Sequence, residues 1–138
     1  IADLYEPYVR PQENNHRTDV SWFALTGKKN ALLIVADSLL EFNVSNYPLE
    51  SFDSGDHRDD GRQRPENPGQ RHNCDPKPAE LVDLFIDYRM MGLGGDDSWG
   101  AQPHEEYQIN LAPGKISYGF SLIPLDKNAN FEKAIKQY

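Results

Sequence analysis

The residues best equipped for chemistry lie together between Met91 and Gly100, in the stretch MGLGGDDSWG. Gly92, Gly94, Gly95 and Gly100 free the backbone for left-handed or crowded conformations closed to other residues. Asp96, Asp97 and Ser98 supply short oxygen-bearing side chains that bond nearby amides and fix a loop. Trp99 then presents a large flat apolar face. Such a loop can aim one aromatic ring and a few acceptors at a ligand. A sugar suits it, because the indole packs on the C–H side of the ring while carboxylates take the hydroxyls. The alternative is a tight turn whose Trp99 plugs the core.

Other chemistries meet obstacles in the same residues. The glycine stretch is no phosphate cradle: it lacks a Lys-Ser/Thr ending, no helix is expected after it, and two carboxylates would repel a phosphate. Ser98 has no G-x-S-x-G frame, and Cys74 sits in an irregular segment, so nucleophilic catalysis has no setting. Asp96-Asp97 and Glu105-Glu106 are sequence neighbours, and nothing places either pair across a scissile bond. His16, His57, His72 and His104 have no ligand spacing, so no metal site is expected. Asp96-Asp97 also lacks the alternating acids of a calcium loop. Cys74 is the only cysteine, which excludes an internal disulfide. The chain carries no self-contained catalytic set, and no cofactor of its own is expected.

Composition narrows the partners. A formal charge of −8 and a pI near 4.9 argue against nucleic acid, which needs clustered Lys and Arg. The 38% hydrophobic content and mean hydropathy of −0.74 are low, yet 11% aromatic residues are too many for a disordered acidic chain. A single domain over residues 1–138 with a modest core is expected. No apolar run approaches a membrane span, so no membrane partner is expected. The opening residues lack a methionine and the order of a signal peptide, and read as a cut in a longer polypeptide. Both a cytoplasmic and a periplasmic location stay open.

Strands must position the loop. Leu81 to Met91 alternates, with Val82, Leu84, Ile86, Tyr88 and Met90 on one face, and runs straight into the glycines. Tyr107, Ile109 and Leu111 predict a strand leaving the loop. Ala112-Pro113-Gly114 predicts a type II turn, and Ile116, Tyr118, Phe120 and Leu122 the returning strand. Upstream, Arg17–Thr26 and Ala31–Ala36 predict a hairpin across Gly27-Lys28-Lys29-Asn30. Leu40, Phe42 and Val44 share one face of a further strand, with Glu41 and Asn43 on the other. Asn43-Val44-Ser45 matches a glycosylation sequon, read as coincidence inside a strand. Residues 52–79 lose all period and form an irregular polar arm. From Asn130 to Tyr138, Phe131, Ile135 and Tyr138 share one face of a short helix that needs docking to survive. The pattern is all-β, a β-sandwich with a short C-terminal helix.

Two motifs carry a family resemblance. MGLGGDDSWG, followed by His104, Glu105 and Tyr107, resembles the C-terminal, small-chain domain of the large bacterial β-galactosidases of glycoside hydrolase family 2. Tyr8-Val9-Arg10-Pro11-Gln12-Glu13-Asn14 and Arg17-Thr18-Asp19-Val20 resemble that domain's P-x-E-N-G and N-R-T-D-V stretch. The resemblance implies a galactose mutarotase-like supersandwich, of which this chain supplies the second part. It further implies a retaining hydrolase of terminal non-reducing β-D-galactosides such as lactose. The catalytic glutamates and the Mg2+ ligands then lie on a separate barrel, so this chain alone is expected to be inactive. Trp99 becomes a substrate-binding residue reaching that barrel's site, held by Gly94, Gly95, Asp96, Asp97 and Ser98. The implied partners are the remaining domains of the same enzyme, the galactoside and further copies in a homo-oligomer.

Two features depart from the family pattern. Asn15 replaces a usual glycine, and Asn tolerates a left-handed backbone well enough to keep the turn. The arm over 52–79 has no counterpart with an assigned role. Two other classes remain open: a stand-alone carbohydrate-binding module using Trp99, and a structural sandwich serving only domain or subunit contacts. A half-sandwich leaves apolar faces or strand edges uncovered. The isolated chain should therefore self-associate or pack loosely in analytical ultracentrifugation and thermal melts. A strict monomer that melts cooperatively contradicts the missing-half reading.

Overall fold

Leu33 and Ile34 are consecutive, point to opposite faces of a strand and are both fully buried. Their strand therefore has protein on both sides. The structure, a computed structural model, describes residues 1–7, 14–52, 56–57, 62–63, 76–92, 94–97, 100–111 and 114–138. Among the described residues it is a mostly antiparallel β-structure with one short α-helix, as expected of a sandwich-type domain. The strands are β1 (Arg17–Thr26), β2 (Asn30–Ser45), β3 (Asp56–His57), β4 (Arg62–Gln63), β5 (Asp83–Asp87) and β6 (Phe120–Asp126). β1, β2 and β5 lie in that order in one sheet, and β6 also pairs with β2. β3 and β4 form a separate two-stranded ladder inside the arm. The chain divides into two compact units, Ile1–Arg17 with Phe42–Ile86 and Thr18–Glu41 with Asp87–Tyr138.

In the unit of Thr18–Glu41 and Asp87–Tyr138, the hairpin turn closes where Gly27 N–H donates to the Asn30 carbonyl at 2.8 Å. β2 then pairs antiparallel with β6, from Asn30 opposite Asp126 to Ala36 opposite Phe120. Ser121, Ile123 and Leu125 turn inward, while Phe120, Leu122 and Pro124 turn outward. Leu33, Val35 and Ile123 form a buried cluster flanked by Ala24, Leu125, Ala134 and Ile135. The last two belong to α1 (Phe131–Ile135), whose start is capped by the Asn130 side chain accepting from Lys133 N–H at 2.9 Å. Docking through Ala134 and Ile135 lets so short a helix persist.

In the unit of Ile1–Arg17 and Phe42–Ile86, Tyr5 stacks on Tyr47 with ring centroids 4.2 Å apart, and Phe52 tilts against both. Asn14 bridges back to Glu6: its Oδ1 accepts Glu6 N–H at 3.1 Å and its Nδ2 donates to the Glu6 carbonyl at 2.6 Å. Asn15 takes the left-handed backbone, φ 67°, and its side chain donates to the Val44 carbonyl at 2.6 Å. The Asn43 side chain is buried and donates to the Asn14 carbonyl. That bond leaves the sequon asparagine engaged inside the protein.

Several elements differ from their sequence pattern. Ala31–Ala36 and Leu40–Val44 belong to one continuous strand, β2. Glu41 and Asn43, on the face opposite Leu40, Phe42 and Val44, are buried as well, with hydrogen-bond partners. β5 stops at Asp87 although alternation runs on to Met91; beyond it the Glu41 carboxylate takes Met90 N–H at 2.7 Å. Tyr107–Leu111 is not a strand; a 3-10 turn occupies Glu105–Tyr107. The returning strand sits later than Ile116–Leu122, at Phe120–Asp126, and includes Pro124, tolerated because β6 pairs on one side only among the described residues. The Ala112-Pro113 pair of the expected turn lies outside the described residues.

Leu33→Ala should lower stability by about 2–5 kcal/mol in urea denaturation, because the emptied site is closed on every side. Leu122→Ala, at an exposed position of β6, should stay within about 0.5 kcal/mol.

Candidate functional site

The stretch after β5 leaves and returns to one point. Gly92 N–H donates to the Tyr107 carbonyl at 2.8 Å, closing a loop of the Ω kind over 92–107. The return limb is itself wound tight: Tyr107 N–H donates to the His104 carbonyl at 2.9 Å and Gln108 N–H to the Glu105 carbonyl at 3.2 Å. The Gln108 side chain adds a bond to the carbonyl of buried Pro103 at 2.7 Å. These bonds use backbone groups that a strand over Tyr107–Leu111 would need for a ladder.

Within the loop, Gly94 lies flat against the Ala101 carbonyl, where any β-carbon would collide with backbone. Gly100 has φ +103°, which excludes ordinary side chains. Gly95 meets nothing within 4 Å and shows no such requirement. The Asp97 carboxylate accepts Ala101 N–H at 3.1 Å, spanning the three residues between. Asp96 Oδ2 lies 2.9 Å from His104 Nε2. That pair is 71% and 64% exposed, so it orients the two limbs and adds about 0–1 kcal/mol. Beside it, His104, Glu105 and Glu106 line an open depression of about 450 Å³.

The loop thus brings Asp96 to His104 and Asp97 to Ala101. Ser98 and Trp99 themselves lie outside the described residues, as do Tyr8–Glu13 of the upstream motif. His104 had appeared in the sequence as one of four scattered histidines. Its pairing with Asp96 spans eight residues, a spacing that only the loop closure makes short. No three His, Cys, Asp or Glu side chains gather as a metal would require among the described residues.

The family model described as the β-galactosidase small chain matches residues 1–122. The chain belongs to that small-chain family. A relative named beta-galactosidase from Priestia megaterium is 31% identical over 129 residues, covering 91% of this chain and 11% of the relative. Another of that name, from Leuconostoc mesenteroides, is 29% identical over 130 residues, covering 94% and 11%. A third, from Vibrio vulnificus, is 28% identical over 109 residues, covering 79% and 8%. The small-chain domain therefore spans only about a tenth of the length of these relatives.

In this small-chain domain Gly94→Ala should force the loop open against the Ala101 carbonyl, while Gly95→Ala should be accommodated. Hydrogen exchange at Gly92 and Ala101 amides reads the difference: faster in the first variant, unchanged in the second.

Proposed function

We propose that this chain is the C-terminal part of a retaining β-galactosidase acting on terminal non-reducing β-D-galactosides such as lactose. In this reading the loop over 92–107 carries Trp99 to a sugar-binding cleft completed by the remaining domains of the same polypeptide. The observation that supports it most directly is the bracing of described residues on either side of Trp99 in sequence: the Asp97 carboxylate on Ala101 N–H, and Gly94 against the Ala101 carbonyl. A stiff mount loses little entropy when a ligand arrives, so an aromatic face held there adds to affinity. Membership of the small-chain family and relatives named beta-galactosidase lend the substrate class.

The chemistry assigned to this chain is binding and orientation. The indole packs on the C–H face of the galactoside or its leaving group, and holds it for attack by residues elsewhere. Bond cleavage with retention needs two carboxyl groups about 5–5.5 Å apart across the scissile bond, and those belong to the separate barrel. Magnesium, which the resemblance implies, likewise belongs there and supplies electrostatic support to that site. This chain alone is inactive, and the working enzyme is a homo-oligomer of the full polypeptide.

Trp99→Ala in the full-length polypeptide should raise KM for an aryl β-D-galactoside roughly 2- to 10-fold, the value of a lost aromatic stack of about 0.5–1.5 kcal/mol. The turnover number should change less, because the reacting groups stay in place. Steady-state kinetics with two acceptor alcohols decide it. An unchanged KM together with an unchanged acceptor preference rejects the role.

A further inference from the structure

A cavity of about 270 Å³ opens in the unit of Thr18–Glu41 and Asp87–Tyr138, lined by Asp19, Ser38, Leu39, Leu40, Glu41, Tyr88 and Arg89. We propose that it is a second, non-catalytic site that binds a single neutral sugar ring. The idea stands apart from the role given to Trp99.

The lining decides the ligand class. The lining residues include two acids, Asp19 and Glu41, with Arg89, Ser38 and Tyr88. An anion would meet both carboxylates. A metal ion would find only two acidic ligands and a repelling guanidinium, and no cluster of three metal-ligating side chains exists among the described residues. An apolar ligand would bury charges without replacing their water. A polyol avoids each of these conflicts, because every hydroxyl both donates and accepts. Carboxylates accept from it, Arg89 donates to it, and the half-exposed Tyr88 ring offers a face for its C–H side.

The site is also built rather than incidental. Glu41 is only 8% exposed, and its Oε2 is pinned by Met90 N–H at 2.7 Å, so its carboxylate is held in place within the cavity wall. Asp19 sits inside β1 with φ 55°, a left-handed backbone rarely adopted by a strand residue. The Tyr88 ring is steadied by Tyr118 at 6.1 Å between centroids. The volume falls just below the range of about 300–1,000 Å³ typical of small-molecule sites, which suits an occupant of one ring.

Hydrogen-exchange mass spectrometry on the full-length polypeptide, titrated separately with D-galactose, D-glucose and D-mannose, tests the proposal. At least one hexose should give saturable protection in peptides covering Ser38–Glu41 and Asp87–Met90. The protection should be equal in a Trp99→Ala background, which separates this site from the proposed galactoside cleft. Arg89→Ala and Ser38→Ala change exposed positions and should each weaken the apparent affinity several-fold without altering the melting temperature. Three results overturn the proposal: no protection by any of the three sugars, protection that survives Arg89→Ala combined with Tyr88→Ala, or equal protection by sulfate or ethylammonium. The last would make the site one for a charged ligand.

Discussion

Burial of both faces of β2 is the constraint from which the other elements take their places. A strand with Leu33 and Ile34 both sealed from water must be covered on two sides and bonded along its edges. β6 serves one stretch, residue for residue from Asn30 to Ala36, and α1 adds Ala134 and Ile135 to the cluster around Leu33, Val35 and Ile123. Further along, β2 buries polar side chains as well, and each demands a partner. Glu41 finds Met90 N–H; Asn43 finds the Asn14 carbonyl. The first bond holds the entrance of the glycine loop within its unit, and the second holds the Asn14–Asn15 turn within the other.

Among its described residues, the loop over 92–107 is braced by contacts that do not involve a large core. Its closure, the Gly94 approach and the Asp97 bond each remove freedom from a short path of small residues. Exposed acids and a histidine then face solvent from a fixed frame. Binding energy gathered at such a remote frame serves catalysis only by holding the reacting sugar in register. The relatives it matches are about ten times longer than this chain, and under the proposed function the loop contributes to a site completed by other domains.

The direction in which β6 faces has a further consequence. Ile123 and its inward neighbours serve the core, which leaves Tyr118, Phe120 and Leu122 exposed. Tyr88, Tyr118 and Phe120 touch in sequence, at 6.1 and 6.2 Å between centroids. Periodicity alone had marked 116, 118, 120 and 122 as the apolar row of a strand without indicating which face was covered.

Alternation and turn chemistry determined the strand Arg17–Thr26, a strand within Leu81–Met91, the Gly27 turn and a short helix within Asn130–Tyr138, because these depend on neighbours in the chain. The glycine-acid string likewise announced a braced loop, and its motif carried the family. Tertiary structure decided what local pattern could not. Glu41 is buried because Met90 N–H lies 49 residues away in sequence and 2.7 Å away in space. Tyr107–Leu111 alternates as a strand does, yet its backbone is spent on closing a loop. A hydrogen-bonding group takes the partner that folding brings to it, and period-two hydrophobicity records faces, never partners.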